Sequence, residues 1–285
     1  MRIVRSREEL REALAAPRRE GKRIGLVPTM GYFHEGHLSL MRQAREDCDV
    51  VVVSLFVNPT QFAPGEDLES YPRDEARDAE LAEREGVDLL WTPDAAQMYP
   101  EGFASAVEVG GDLTGVLEGD PEHRGPAHFR GVTTVVAKLF NMVQPDRAWF
   151  GQKDAQQAVV IRRLVRDLDI PVKVEVVPTV REPDGLAMSS RNVYLSPAER
   201  ERALGLSQAL KAAQDEVAAG RRDAETVLAA ARKELDARGV EPEYLELRSA
   251  DDLSPASRVN GRTLLAVAAR VGRARLIDNV ILGDQ

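Results

Sequence analysis

The chain of 285 residues contains one cysteine, Cys48, and that scarcity excludes a disulfide framework. A lone thiol forms no internal disulfide, and in Glu46-Asp47-Cys48-Asp49-Val50 it reads as a structural residue at a helix–strand junction. Long apolar runs are missing as well. None approaches the ~18 residues of a membrane span, and Met1-Arg2-Ile3-Val4-Arg5-Ser6 lacks the apolar stretch of a secretory signal. The expected location is therefore cytoplasmic, with no membrane partner. Positive charge is in deficit, with a formal net charge of −9. That argues against nucleic acid, whose binding needs clustered cations. The bases are overwhelmingly Arg, so a Lys inside a motif is conspicuous. Internal repeats and low-complexity linkers are absent.

What remains is the make-up of a globular protein, 43% hydrophobic and 30% charged. A chain near 300 residues can bury about 75% of its unfolded surface, so two domains with real cores are expected. Apolar β-branched runs at 24–28, 50–57, 87–92, 148–151 and 172–178 alternate with helical patterns at 38–47, 74–85, 132–143 and 155–168. Near-continuous apolar strands separated by amphipathic helices predict a doubly wound α/β domain with a parallel sheet. Ligands gather at the carboxyl ends of such strands. After Pro178-Thr179 the pattern changes. Ser196-Pro197-Ala198-Glu199 is a capping box opening a helix toward Ala219, a second helix covers 224–238, and strands follow at 244–248, 263–269 and 276–282. Helices followed by strands predict a smaller α+β unit. The expected division is 1–178 and 179–285.

His34-Glu35-Gly36-His37 follows the first apolar run and opens a helix. Two imidazoles there lie on one side of the first turn, where free N–H groups and the helix dipole favour an anion. Gly36 is expected to let a phosphate approach the backbone. Zinc is the competing reading, weakened by the spacing, the single cysteine and the placement of His123 and His128 in a distant loop. A purely structural histidine pair is the other. Three more segments carry polar groups at strand ends or in loops. Asn58 and Gln61, in Val57-Asn58-Pro59-Thr60-Gln61-Phe62, could hydrogen-bond a small polar ligand, although Asn-Pro also builds plain turns. Gly151-Gln152-Lys153-Asp154 repeats the strand-to-helix geometry with a cation, and Asp154 equally suits an N-cap. Met188-Ser189-Ser190-Arg191-Asn192 offers hydroxyls and a guanidinium suited to phosphate, or is a solvated loop.

Taken together, and with Leu26-Val27-Pro28-Thr29-Met30-Gly31, Phe56-Val57-Asn58-Pro59, His128-Phe129-Arg130-Gly131-Val132 and Leu276-Ile277-Asp278-Asn279, these segments resemble the pantothenate synthetase family over almost the whole chain. H-x-G-H alone is shared with class I aminoacyl-tRNA synthetases and nucleotidylyltransferases; the ensemble is much more specific. The resemblance implies an AMP-forming ligase. Pantoate and ATP would give pantoyl adenylate and pyrophosphate, and β-alanine would then release AMP. It implies ATP contacts from Pro28, Thr29, Met30, Gly31, His34, Gly36, His37, Gly151, Lys153, Asp154, Val180, Met188, Ser189, Ser190 and Arg191. Of these, His34, His37, Lys153, Ser189, Ser190 and Arg191 would be catalytic, with His37 the best candidate acid. Gln61, Gln157, Asn58 and Met30 would bind pantoate. Asp78 would hold Mg²⁺ with the phosphates, and the assembly would be a homodimer. Two departures stand out. The 120–127 loop is longer than the family's usual turn, which leaves Arg124 unplaced, and Gln152 replaces an acidic residue. The rival readings are a nucleotidylyltransferase that transfers AMP to a phosphate acceptor and a silent nucleotide-binding module.

Overall fold

The structure is a computed structural model that describes residues 1–63 and 65–283. The far bound of the expected second unit, residue 285, lies outside them. Six parallel strands form the main sheet in the order β1-β4-β3-β2-β5-β6. They are β1 Arg2–Val4, β2 Ile24–Thr29, β3 Val50–Leu55, β4 Leu89–Trp91, β5 Arg147–Gly151 and β6 Lys173–Val177. The helices among them are α1 Arg7–Arg19, α2 Glu35–Asp47, α3 Glu75–Arg84, α4 Ala95–Met98, α5 Pro126–Val143 and α6 Ala155–Asp167. Leu10 and Leu14 of α1 pack with α5 and α6 in one core. Leu40, Met41 and Ala44 of α2 pack with Ala82 of α3 in another. Both faces of the sheet are thus covered, which is why β2 and β3 are almost continuously apolar.

The sheet order places the switch point at β2. From there the chain moves outward to β3 and β4, then returns on the opposite side of β2 as β5. The crevice outside the carboxyl ends of β2 and β5 is where a doubly wound sheet binds ligands.

Two further helices, α7 Pro197–Ala218 and α8 Ala224–Ala237, precede an antiparallel sheet of β7 Pro242–Ser249, β8 Thr263–Val271 and β9 Ala274–Leu282. The expected capping box opens α7: Ser196 Oγ accepts from Glu199 N–H, and Glu199 Oε2 accepts from Ser196 N–H. β8 is buried on both faces. Leu264, Ala266 and Ala268 join the core of the large unit, while Leu265, Val267, Ala269 and Val271 join a core with α7 and α8.

Several elements differ from expectation. β1, α1 and α4 lie outside the expected set. β1 is a three-residue edge strand, and α1 carries its own capping box from Ser6 and Glu9 in an Arg-rich segment of weak apolar signal. α2 starts at Glu35 rather than 38, and α5 starts at Pro126 rather than 132. The second shift moves His128 out of the expected loop and into a buried helix turn.

Candidate active site

One cleft is lined by the ends of β2 and β5, the start of α2, and residues 178–180 and 188–191. His34 is the N-cap of α2, and its Nδ1 accepts from Gly36 N–H at 3.1 Å. His37 Nδ1 accepts from His34 N–H at 3.3 Å, so two imidazoles replace the usual hydroxyl and carboxylate of a capping box. A neutral imidazole whose Nδ1 accepts carries its proton on Nε2. Each ring therefore has an Nε2–H donor left for a ligand. Burial, reinforced by Lys153, lowers the His34 pKa to about 4. Burial also pushes His37 well below the ordinary histidine value, with His34 and Lys153 adding to the effect.

Gly36 lines the cleft and also makes room for a neighbour. A Cβ there would sit 2.8 Å from His34 Cε1 and 2.9 Å from its Nδ1. The missing side chain makes room for the histidine ring itself.

Asp78 is also corrected. It is fully buried and does not line the cleft. Its two carboxylate oxygens accept from Tyr32 N–H at 2.6 Å and Phe33 N–H at 2.7 Å. These bonds hold a left-handed turn, φ +83° at Gly31 and +52° at Tyr32, that leads into His34. Burial raises the Asp78 pKa. Its job is to support this turn rather than to coordinate an open-site metal, and Gly31 belongs to the same turn, outside the cleft lining. Among the described residues no group of three His, Cys, Asp or Glu could hold a metal ion.

Gln61 and Gln157 both line the cleft. Gln61 is buried, with Oε1 accepting from Asn58 Nδ2 at 3.0 Å. Asn58 reaches the lining too, yet its polar atoms are already used. Nδ2 donates to Gln61 Oε1 and Gly131 O, and Oδ1 accepts from Thr60 N–H, Thr60 Oγ1 and Tyr99 OH. Asn58 positions Gln61 instead of offering itself to a substrate. Gln156, next to Gln157, is buried with its amide already used: Nε2 donates to Leu113 O and Val116 O, and Oε1 accepts from Glu118 N–H.

Lys153 lies in a 3-10 turn between β5 and α6. Asn279 on β9 holds that turn, donating to Gln152 O at 3.0 Å and Lys153 O at 2.8 Å and accepting from Gln152 Nε2 at 2.9 Å. The neighbouring Asp278 takes a bidentate pair from Arg181. The 276–279 segment thus fastens the small sheet to both cleft-forming loops. Ser189 caps the 3-10 turn Ser190–Tyr194, Ser190 is buried 3.3 Å from Tyr71 OH, and Arg191 makes two bonds to Asp67 at 2.9 and 2.8 Å. The guanidinium is therefore already occupied by a carboxylate. Met188 N–H donates to Val180 O, and Pro28, Thr29, Met30, Gly151, Asp154, Val180 and Met188 all reach the cleft.

His128 and Arg124 are the additions that sequence reasoning missed or left unplaced. His128 Nδ1 lies 2.7 Å from Gln61 O and must donate to it, leaving Nε2 to accept from Arg124 Nη1 at 3.2 Å. Burial, with Arg124 adding to it, lowers the His128 pKa to about 4. Arg124 also pairs with Glu66. The Gly125-Pro126 step, with proline at the first helical position, was the signal that could have placed His128 on a helix.

Fold and cleft define a Rossmann-like α/β protein with an H-x-G-H turn at its sheet switch point. Comparison with known proteins narrows this class. A family model described as Pantoate-beta-alanine ligase matches residues 2–281. The chain is 54% identical over 283 residues to a pantothenate synthetase of Moorella thermoacetica, covering 99% of each chain. It superposes on the crystal structure of pantothenate synthetase from Thermus thermophilus with TM-score 0.93 and 50% identity, covering 98% of this chain and 99% of that one. The pantoate-beta-alanine ligase of Francisella tularensis, complexed with beta-gamma ATP and beta-alanine, aligns at TM-score 0.81 and 33% identity over 99% and 97% of the two chains. The chain belongs to the pantoate-beta-alanine ligase family.

Proposed function

We propose that the protein joins (R)-pantoate to β-alanine at the expense of ATP, through a pantoyl adenylate. The observation that carries this reading is a single cleft lined by the histidine pair, Lys153, the serine pair with Arg191, and the two glutamines. A pantoate carboxylate oxygen would attack the α-phosphorus, forming an acyl–phosphate bond as the bond to pyrophosphate breaks. The β-alanine amine would then attack the acyl carbon, expelling AMP and losing a proton. Gln61 and Gln157 suit the acid, since neutral amides orient a carboxylate without quenching the attacking oxygen. Nε2–H of His34 and His37, with Lys153, would meet charge growing on the phosphates. His37 is best read as a neutral donor in the free enzyme.

Arg191 would exchange Asp67 for a phosphate, and backbone groups at Val180 would face the base. Mg²⁺ typically keeps waters and uses one or two carboxylates plus substrate phosphates. That fits a cleft whose lining carboxylates are Glu118, Asp154 and Asp278, the first and last already paired with arginines, and the ion would neutralise phosphate charge beside Asp154. Residues 1–178 would supply the acid and histidine sites, with 179–285 supplying the serine pair. The homodimer that the resemblance implies is retained as a proposal, tested by light scattering.

The activity is tested with ATP, pantoate and β-alanine together. Pyrophosphate should appear with pantoate alone and AMP only when the amine is added. Pyrophosphate without AMP in the complete mixture would favour AMP transfer to another acceptor instead.

A further inference from the structure

β3 ends in a polar side chain that the fold leaves unserved. Ser54 is 1% exposed and lines the cleft. Its carbonyl accepts from Thr29 Oγ1 at 2.7 Å, yet its Oγ has no hydrogen-bond partner among the described residues. Its register partner on β4 is the fully buried Trp91, whose Nε1 has none either. Strand alternation puts Ser54 on the face of β3 shared with Val52 and Phe56, toward the core built on α5. Phe56, Val132, Val135 and Val136 make the cleft wall apolar there. A buried hydroxyl without a partner is destabilising, and alanine would occupy the place without that cost. A serine suits this wall when a ligand brings the missing partner.

We infer that Ser54 is a specificity-determining residue whose Oγ hydrogen-bonds a hydroxyl of the acid substrate. Pantoate carries two hydroxyls flanking a dimethyl carbon, and the apolar wall around Ser54 suits the methyl groups. Gln61 and Gln157 would then be left for the carboxylate and the second hydroxyl. This rests on the proposed ligase activity and deepens it.

The test measures pyrophosphate release by wild type and S54A with three acids. These are pantoate, 2-hydroxy-3,3-dimethylbutanoate and 4-hydroxy-3,3-dimethylbutanoate, each analogue lacking one hydroxyl. S54A should lower kcat/KM for pantoate about tenfold, the order of one hydrogen bond. It should leave one analogue, the one lacking the hydroxyl that Ser54 reads, unchanged. The thermal midpoint of ligand-free S54A should equal or exceed wild type. S54C, nearly isosteric and a weak hydrogen bonder, should show the same selectivity and covers any misfolding of S54A. Unchanged kcat/KM for pantoate, or an equal fall with all three acids, overturns the inference while leaving the ligase reading intact. A wild type inert with pantoate overturns both.

Discussion

His34 and His37 cap a helix with their Nδ1 atoms and keep Nε2–H free, so local structure fixes the tautomer that the proposed chemistry would use. With His34 lowered to about 4 and His37 held well below the ordinary histidine value by burial, both stay neutral through the physiological range. The kcat/KM profile for ATP should therefore show no histidine inflection between about pH 6 and 8. A clear limb near the ordinary histidine value would contradict the buried, neutral pair. The sign for stability follows from the same shift. A histidine lowered on folding binds its proton more readily when unfolded, so its neutral form favours the native state above its unfolded value. That contribution is lost as pH falls from about 6.5 toward the folded pKa. Lys153→Ala should cut pyrophosphate release by about 10²- to 10³-fold, the usual effect of losing one preplaced donor. Circular dichroism should remain unchanged, and a wild-type single-turnover rate would count against the role.

At the scale of elements, Gly131 on α5 shows how closely the proposed acid site depends on packing. A Cβ there would fall 2.3 Å from Thr60 O and 2.8 Å from Gln61 Cα, which are backbone atoms with little freedom to yield. Gly131→Ala should push the Asn58–Gln61 turn away from α5, raise KM for pantoate more than for ATP, and lower the thermal midpoint. Equal KM values would show that the turn can shift without moving Gln61. Strand and helix periodicity made β2, β3, β5, α6 and α7 legible in the chain, as each is apolar in the right rhythm or capped by recognisable residues. β1 was not, because three edge residues carry too little pattern. H-x-G-H and the Gly151–Asp154 turn, which the fold brings to one cleft, were legible as segments at strand ends. The tasks of Gly36, Asn58 and Asp78 were not, because each serves a neighbour brought near only by tertiary folding.

Across the whole molecule, Glu118 joins the two units. Its carboxylate accepts from Tyr244 OH at 2.8 Å on β7 and from Arg275 at 2.7 and 2.8 Å on β9. Burial raises the Glu118 pKa, but hydrogen bonds and charge from Arg275, helped by Tyr244, more than offset it and leave it below the ordinary value. Its stabilising contribution is thus present above the usual glutamate range and lost as pH falls through the lowered folded value. Arg275→Ala should leave a buried carboxylate unpaired and cost about 3–5 kcal/mol. Denaturant titration would read this directly, and a loss within error of zero would show that water reaches Glu118.

β8 gives alternate side chains to two different cores. Neither core can lose that strand and remain complete, so the large unit and the small one share a structural element at their centres. Melting should consequently be all-or-none. Scanning calorimetry is expected to give one endotherm whose van't Hoff and calorimetric enthalpies agree, where chains with separately built domains often depart from two-state behaviour.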